Sequence, residues 1–302
     1  MKLLCRPNLL TGKLKDRFEQ DSELVALTGY KAVDKNTGAS KKWLPLKSPA
    51  SARLLKFMQT EPGGSLSTEI RWSKKELIEA KGYLMSCSAV SMPDADYKHQ
   101  LNLFNSSPTL KTTSKWGSIR IHPSLQLSTV NLKSKTMRYL DEWTEELLLA
   151  PDLIENWPKE WSQKLFEAVQ TRDGVDRTDL FRIANSHIMP PVANNTLCHY
   201  ETWDEGTAKP STPRFRRTLT YEPEVLENMP LVARTSEPFG VLGQGLIVVS
   251  PEFRNWCLEN GWKGPKFHPL LSLGSDTWKQ FEEHWSKFLR LAGKASDRTF
   301  DQ

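Results

Sequence analysis

Cysteine and histidine are both scarce in this chain of 302 residues, with four of the first and six of the second. The cysteines, Cys5, Cys87, Cys198 and Cys257, are far apart, and no CxxC occurs. That excludes a zinc ribbon, and a disulfide framework would need a shorter, denser chain, so reduced thiols are expected. No two histidines stand at HxH or HxxxH spacing, and Cys198-His199 is the one adjacent soft-ligand pair. Zinc would need partners that the sequence does not point to, so no metal is expected. GxSxG, the P-loop, GxGxxG and HExxH are absent as well. Gly240-Val-Leu-Gly-Gln-Gly245 precedes a strand-like run, whereas a phosphate cradle precedes a helix, so it reads as a hairpin or bulge. No cofactor and no catalytic residue is assigned. Long apolar runs are missing too. Nothing approaches the roughly 20 residues of a membrane helix, and MKLLCRPN lacks the apolar stretch of a signal peptide. A cytoplasmic protein without a membrane partner is expected.

What the chain does have is tryptophan, eleven residues of it, spread over helical and strand-like patterns as core or groove walls. Its net charge is +5, mild for the size, and a nucleic-acid binder usually concentrates positive charge far more. The charge is uneven. Residues 1–60 are basic, and Asp141 to Glu160 carries seven acids against Lys159. Solvated faces of opposite sign, or patches that meet a partner, would both produce this.

Along the chain, Pro49 to Met58 reads as a helix, and Pro-Gly-Gly at 62–64 breaks it. Val33 to Trp43 holds an Asn-Thr-Gly turn signal compatible with a β-hairpin or a loop. Ser73 with Glu76 forms a capping box that predicts a helix from about Lys74 to Gly82. Trp116 to His122 alternates as a strand. Val130 to Leu149 has a helical stripe that Pro151 stops, and Pro158 opens another helix through Trp161, Leu165, Phe166 and Val169. The second half is more strand-like: 197–203, 214–221 and 231–235 read as strands. Ser275 or Asp276 caps a last helix bearing Trp278, Phe281, Trp285 and Phe288.

The clearest local unit is Gly245 to Leu270. Leu246 to Val249 is a short apolar run. Ser250 can cap a helix with Pro251 in its first turn, and Phe253, Trp256 and Cys257 share an apolar face. Asn260-Gly261 ends the helix, and Pro265, Phe267 and Leu270 lead into a second strand. Val249, Ser250, Phe253, Gly261, Trp262 and Gly264 resemble the C-terminal module of bacterial polymorphic-toxin immunity proteins. The likeness extends over roughly 182–273, with Arg234-Thr235 as the short basic strand. One group of that family carries a double CxxCG, which is missing here. The resemblance implies immunity by binding a partner protein in interbacterial competition, and no catalytic residue.

The expected fold is therefore α+β. Residues 1–170 form a helix-rich lobe, and 171–302 form a lobe with a mostly antiparallel sheet and flanking helices. Two charged clusters stand out. Asp173, Asp176 and Asp179 with Arg177 and Arg182 could serve a hydrolase, or could be a solvated turn entering a helix near Thr178. Cys198 is a better nucleophile candidate than Cys257, whose place on an apolar face suits packing. Arg214, Arg216 and Arg217 could hold phosphates, meet an acidic protein surface, or form a solvated strand face. With Trp203, Asp204 and Glu205 they are the candidate partner contacts. The expected function is neutralisation of a cognate toxin by occluding its active cleft, and mild positive charge favours a neutral or acidic toxin. Nucleic-acid association through the arginine face is the alternative.

Overall fold

The computed structural model describes residues 1–59, 64–106, 109–111, 118–120, 124–140, 146–161, 165–184, 187–193, 198–200, 213–215, 218–238 and 245–292. The architecture is α+β with mostly antiparallel sheets. The chain divides into two compact units, Met1–Glu79 with Gly274–Gln302, and Ala80–Leu273. The boundary expected near residue 170 falls inside the second unit, between two paired strands.

The first unit is built on β1 (Lys2–Thr11), followed by α1 (Gly12–Gln20), α2 (Ser22–Thr28), β2 (Tyr30–Ala32), β3 (Thr37–Ser40), β4 (Leu44–Pro45), α3 (Pro49–Met58), β5 (Gly64–Arg71) and α4 (Lys74–Glu79). β5 pairs along β1 from Lys2↔Arg71 to Leu10↔Gly64, with a register shift between Pro7 and Leu9. Proline brings no N–H to a ladder, so an irregularity beside Pro7 fits the chemistry. β3 and β4 share the opposite edge of β1. Leu3, Leu4 and Cys5 are consecutive and all buried, so both faces of β1 are covered. That is why this strand, lacking alternation, was not legible as one. The turn signal after Val33 resolves as a β2–β3 hairpin whose Asp34 accepts from Asn36 N and Thr37 N. The α3 reading holds, with Ser48 Oγ accepting from Ser51 N at 3.1 Å and Pro49 in the first turn. So does the capping box: Glu76 N donates to Ser73 Oγ, and Ser73 N to Glu76 Oε2. The C-terminal helix Asp276–Ala292 is capped by Ser275 Oγ, buries Phe281, Trp285 and Phe288, and packs against α3.

The second unit runs β6 (Tyr83–Ser86), β7 (Ala89–Val90), α5 (Asp94–Asn105), β8 (Thr109–Lys111), β9 (Ser118–Arg120), β10 (Met137–Leu140), β11 (Glu146–Leu149) and α6 (Pro151–Glu155). It continues through β12 (Phe166–Gln170), β13 (Asp176–Ile183), β14 (Cys198–Tyr200), β15 (Pro213–Phe215), β16 (Thr220–Tyr221) and α7 (Pro223–Glu227). It ends with β17 (Val232–Arg234), β18 (Ile247–Val249), α8 (Pro251–Glu259), β19 (Lys266–Pro269) and β20 (Leu271–Ser272). Two larger sheets, in the orders β12-β13-β11-β10-β7 and β17-β18-β6-β19, supply one core. Tyr83, Met85, Val232, Ile247 and Val249 meet Met137, Leu147, Leu149 and Ile183 there.

Three helical expectations fail in this unit. Val130 to Leu149 is not a helix: β10 and β11 pair from Met137↔Leu149 to Leu140↔Glu146. All four β11 residues are buried, and a strand covered on both faces shows no period-two alternation. Leucine favours helices in isolation, and tertiary pairing overrides that preference. Pro151 does not stop a helix; it starts α6 in the first turn, where its missing N–H is harmless. Pro158 opens a turn, closed by Trp161 N to Pro158 O at 3.0 Å; residues 162–164 lie outside the described residues, and Phe166 and Val169 lie on β12. The helix start near Thr178 is likewise replaced by β13. The strand read over 116–122 is present as β9, its flanks lying outside the described residues. Among the described residues, no helix is long and apolar enough to cross a membrane.

Candidate protein-contact site

The unit from Gly245 to Leu270 forms as strand, capped helix, turn and strand. Ser250 Oγ accepts from Phe253 N at 3.2 Å, and Pro251 opens α8. Gly261 adopts φ 69°, the left-handed conformation a non-glycine residue resists. Gly264 has φ 110°, and its Cα lies so close to Met137 O that a Cβ would sit 2.1 Å from that oxygen.

α8 stands over an aromatic cluster. Phe253 and Cys257 are buried as the apolar spacing requires, but Trp256 is only half-buried at the edge of that stripe. Trp157, 7% exposed, lies at the centre. Its ring meets Trp161 at 4.8 Å, Phe166 at 4.3 Å and Trp256 at 5.1 Å, each nearly perpendicular. Trp256 in turn stacks on Trp262 at 5.6 Å. Edge-to-face packing satisfies the ring quadrupoles and holds these side chains rigid. The tight turn at Pro158 brings Trp161 beside α8, where its Nε1 donates to Glu252 Oε1 at 3.0 Å.

The exposed side of the helix is acidic. Glu252, Trp256 and Glu259 recur at i, i+4 and i+7, and so line one stripe. Glu252, Asn255 and Glu259 are exposed, while Trp161 and Trp256 are half-buried. Neither Glu252 nor Glu259 forms an ion pair among the described residues. Arg254 has its guanidinium 5.0 Å from the Tyr83 ring and donates to Asn255 Oδ1 at 3.0 Å. The sequence places Trp256 on one apolar face with Phe253 and Cys257, and the structure sets it at the edge of that face. The carboxylates four residues before it and three after, Glu252 and Glu259, were the overlooked signal.

The other charged groups of this unit serve the architecture. Glu146, 1% exposed, lies between Arg234 at 3.2 Å and Arg182 at 3.9 Å. Arg182 also donates to Glu167 Oε2, and Arg234 to Gly245 O. This buried network ties β11, β13 and β17 together. The three aspartates singled out for hydrolysis do not converge. Asp176 accepts from Gln170, whereas Asp179, on the opposite face of β13, is clamped by Arg177. That guanidinium holds the Asp179 carboxyl below the usual range, although burial works weakly against it. Asp96, fully buried on α5, is held by Arg172 and by Ser128 N.

Thiol chemistry is disfavoured where the thiols are described. Burial pushes Cys5 up to about 12, and Cys87 likewise to about 12 against the pull of Arg138. Cys257 rises through burial first and the neighbouring Cys87 second. Ser86 Oγ and His268 Nε2 are 3.2 Å apart across β6 and β19, an inter-strand hydrogen bond. Among the described residues, no group of three or more His, Cys, Asp or Glu side chains could hold a metal ion. In the first unit a shallow cleft of about 550 Å³ is lined by Arg17, Asp21, Glu23, Arg53 and Phe57, with Ser22 and Gln20. Arg53 already donates to Asp21 and Glu23, so its charges close on themselves.

Of the contacts expected from sequence, Trp203, Asp204, Glu205, Arg216 and Arg217 lie outside the described residues. Arg214 lies on β15, where its backbone pairs with His199 of β14. Comparison with known proteins finds no matching family model, no matching curated protein and no matching solved structure.

Proposed function

We propose that this chain is a non-catalytic binding protein that neutralises a cognate protein toxin, in the manner of bacterial immunity proteins, by occluding the toxin's active cleft. The observation that carries this reading is the α8 face. It presents half-exposed Trp256 between Glu252 and Glu259, which form no ion pair among the described residues, with Trp161 packed beside it, on the unit whose sequence resembles immunity modules. Rigid indoles at a surface lose little conformational entropy on binding, which is why tryptophan dominates interface hot spots. The chemistry elsewhere supports the same reading. A general acid or base is tuned toward neutrality. Here Glu19, Asp34 and Asp179 are pulled the other way by local hydrogen bonds, and so is Asp21, where burial is outweighed by the Leu24 N–H and Arg53 together.

The test is co-expression with the product of the adjacent open reading frame, followed by pull-down and a growth assay. A stable complex together with restored growth is the expected result. A chain that purifies alone and leaves the toxin fully active would count against the proposal.

A further inference from the structure

The geometry points to the chemistry of the partner: the α8 face takes an arginine-bearing segment of a protein, with the guanidinium lying against Trp256 and Trp161 and paired with Glu252 and Glu259. This rests on the reading of the chain as a partner-binding protein and adds what the bound surface must carry.

The argument starts from helical geometry. With Trp256 as reference, Phe253 and Cys257 fall about 60° and 100° to one side, which is the buried direction. Glu252, Glu259 and Asn255 fall about 40°, 60° and 100° to the other, which is the exposed direction. Trp256 thus forms the border, with its ring partly in solvent and both carboxylates beside it. Trp161 extends the aromatic surface, its centroid 5.6 Å from that of Trp256. Its indole N–H fixes Glu252 at 3.0 Å, and the N-terminal turn of α8 also favours that negative charge. One carboxylate is therefore pre-positioned next to two rings.

A planar cation satisfies all of these groups at once. Guanidinium stacks on indole faces and gives bidentate hydrogen bonds to carboxylates, whereas an ammonium does only part of this. Other carboxylates of this unit, Glu146, Glu167, Asp96 and Asp179, already have arginine partners within the chain. Glu252 and Glu259 have none among the described residues, and both are exposed. Lys135, at the C-terminal end of the helix, donates to Asn260 O, and Arg254 on the helix donates to Asn255 Oδ1. The chain's net +5 governs long-range attraction and is compatible with a locally acidic contact.

The experiment titrates the full chain with a blocked peptide of alternating arginine and glycine, reading the tryptophan indole N–H resonances by NMR. The Trp161 and Trp256 peaks are assigned from Trp161→Phe and Trp256→Phe. Saturable shifts of these two peaks are expected, with a glutamate–glycine peptide giving none. Glu259→Lys should weaken the response several-fold, and Glu252→Lys with Glu259→Lys at least about tenfold, as opposed charge would. Glu259 is exposed, so the single variant keeps the test valid if the double one unfolds. Unmoved peaks, an equal response to the acidic peptide, or an undiminished response in Glu259→Lys would each overturn the inference. If the toxin is still neutralised by the double variant, the arginine contact is wrong and the neutralisation reading survives. Peptide binding as expected without any neutralisation would mean the opposite: the arginine contact stands and the neutralisation reading falls.

Discussion

Trp157 has the most to lose from truncation. Its ring is the hub between α8, the Pro158 turn and β12, and it is almost entirely buried. Trp157→Ala should lower stability by about 3–5 kcal/mol, measured by urea denaturation, because the surrounding rings cannot collapse into the space. Glu146 is the polar counterpart. Glu146→Ala would leave the Arg182 and Arg234 guanidiniums inside the unit without that carboxylate. The expected loss is again about 3–5 kcal/mol, since an uncompensated buried charge is far costlier than a missing surface pair. Coupling in a Glu146→Ala and Arg234→Ala cycle would check that the two act together. His284 gives a pH signature. Burial first, then the Lys47 and Lys287 ammonium groups, lower its pKa, with Glu283 opposing them. The unfolded imidazole titrates near 6.5. As pH falls through that value the unfolded chain takes up the proton first, so native stability declines until the folded imidazole protonates as well. His284→Gln should flatten that part of the stability profile in acid denaturation.

At the scale of elements, the Gly245–Leu270 unit shows which local rules are strong. Ser250→Ala removes the cap on Phe253 N and should cost about 1 kcal/mol. The two turn glycines should separate. Gly261→Ala meets nothing within 4 Å and bears only left-handed strain, about 1–2 kcal/mol. Gly264→Ala must also displace Met137 O, which belongs to a paired strand, so it should be the more damaging of the two in thermal melts. Capped helices were legible in advance because a cap and its helix are neighbours in sequence. The β10–β11 pair was not legible. Leu147, Leu148 and Leu149 obey no strand period, and the reason is their burial on both faces by partners distant in the chain.

At the scale of the molecule, each unit closes its own core, and the thiols report on that closure. Cys5 and Cys257 are 0% and 1% exposed, in different units. At about pH 8, Ellman's reagent should leave both unreacted in the folded protein and titrate both on unfolding. Single Cys→Ser variants would assign the signals, and early reaction of one thiol alone would show its unit opening first.

Local signals in the chain were enough to establish the α+β class, the caps at Ser73 and Ser250, and the left-handed turn at Gly261. These depend on residues within a few positions of one another, whose backbone donors and dihedral limits travel with the sequence. Pairing and exposure were settled elsewhere. Whether Glu146 is a surface acid or a buried hub, and whether Trp256 belongs to the core or its border, depends on groups far along the chain. Arg182, Arg234, Trp157 and Trp161 come into contact with them only after collapse, which leaves no periodic trace in the sequence.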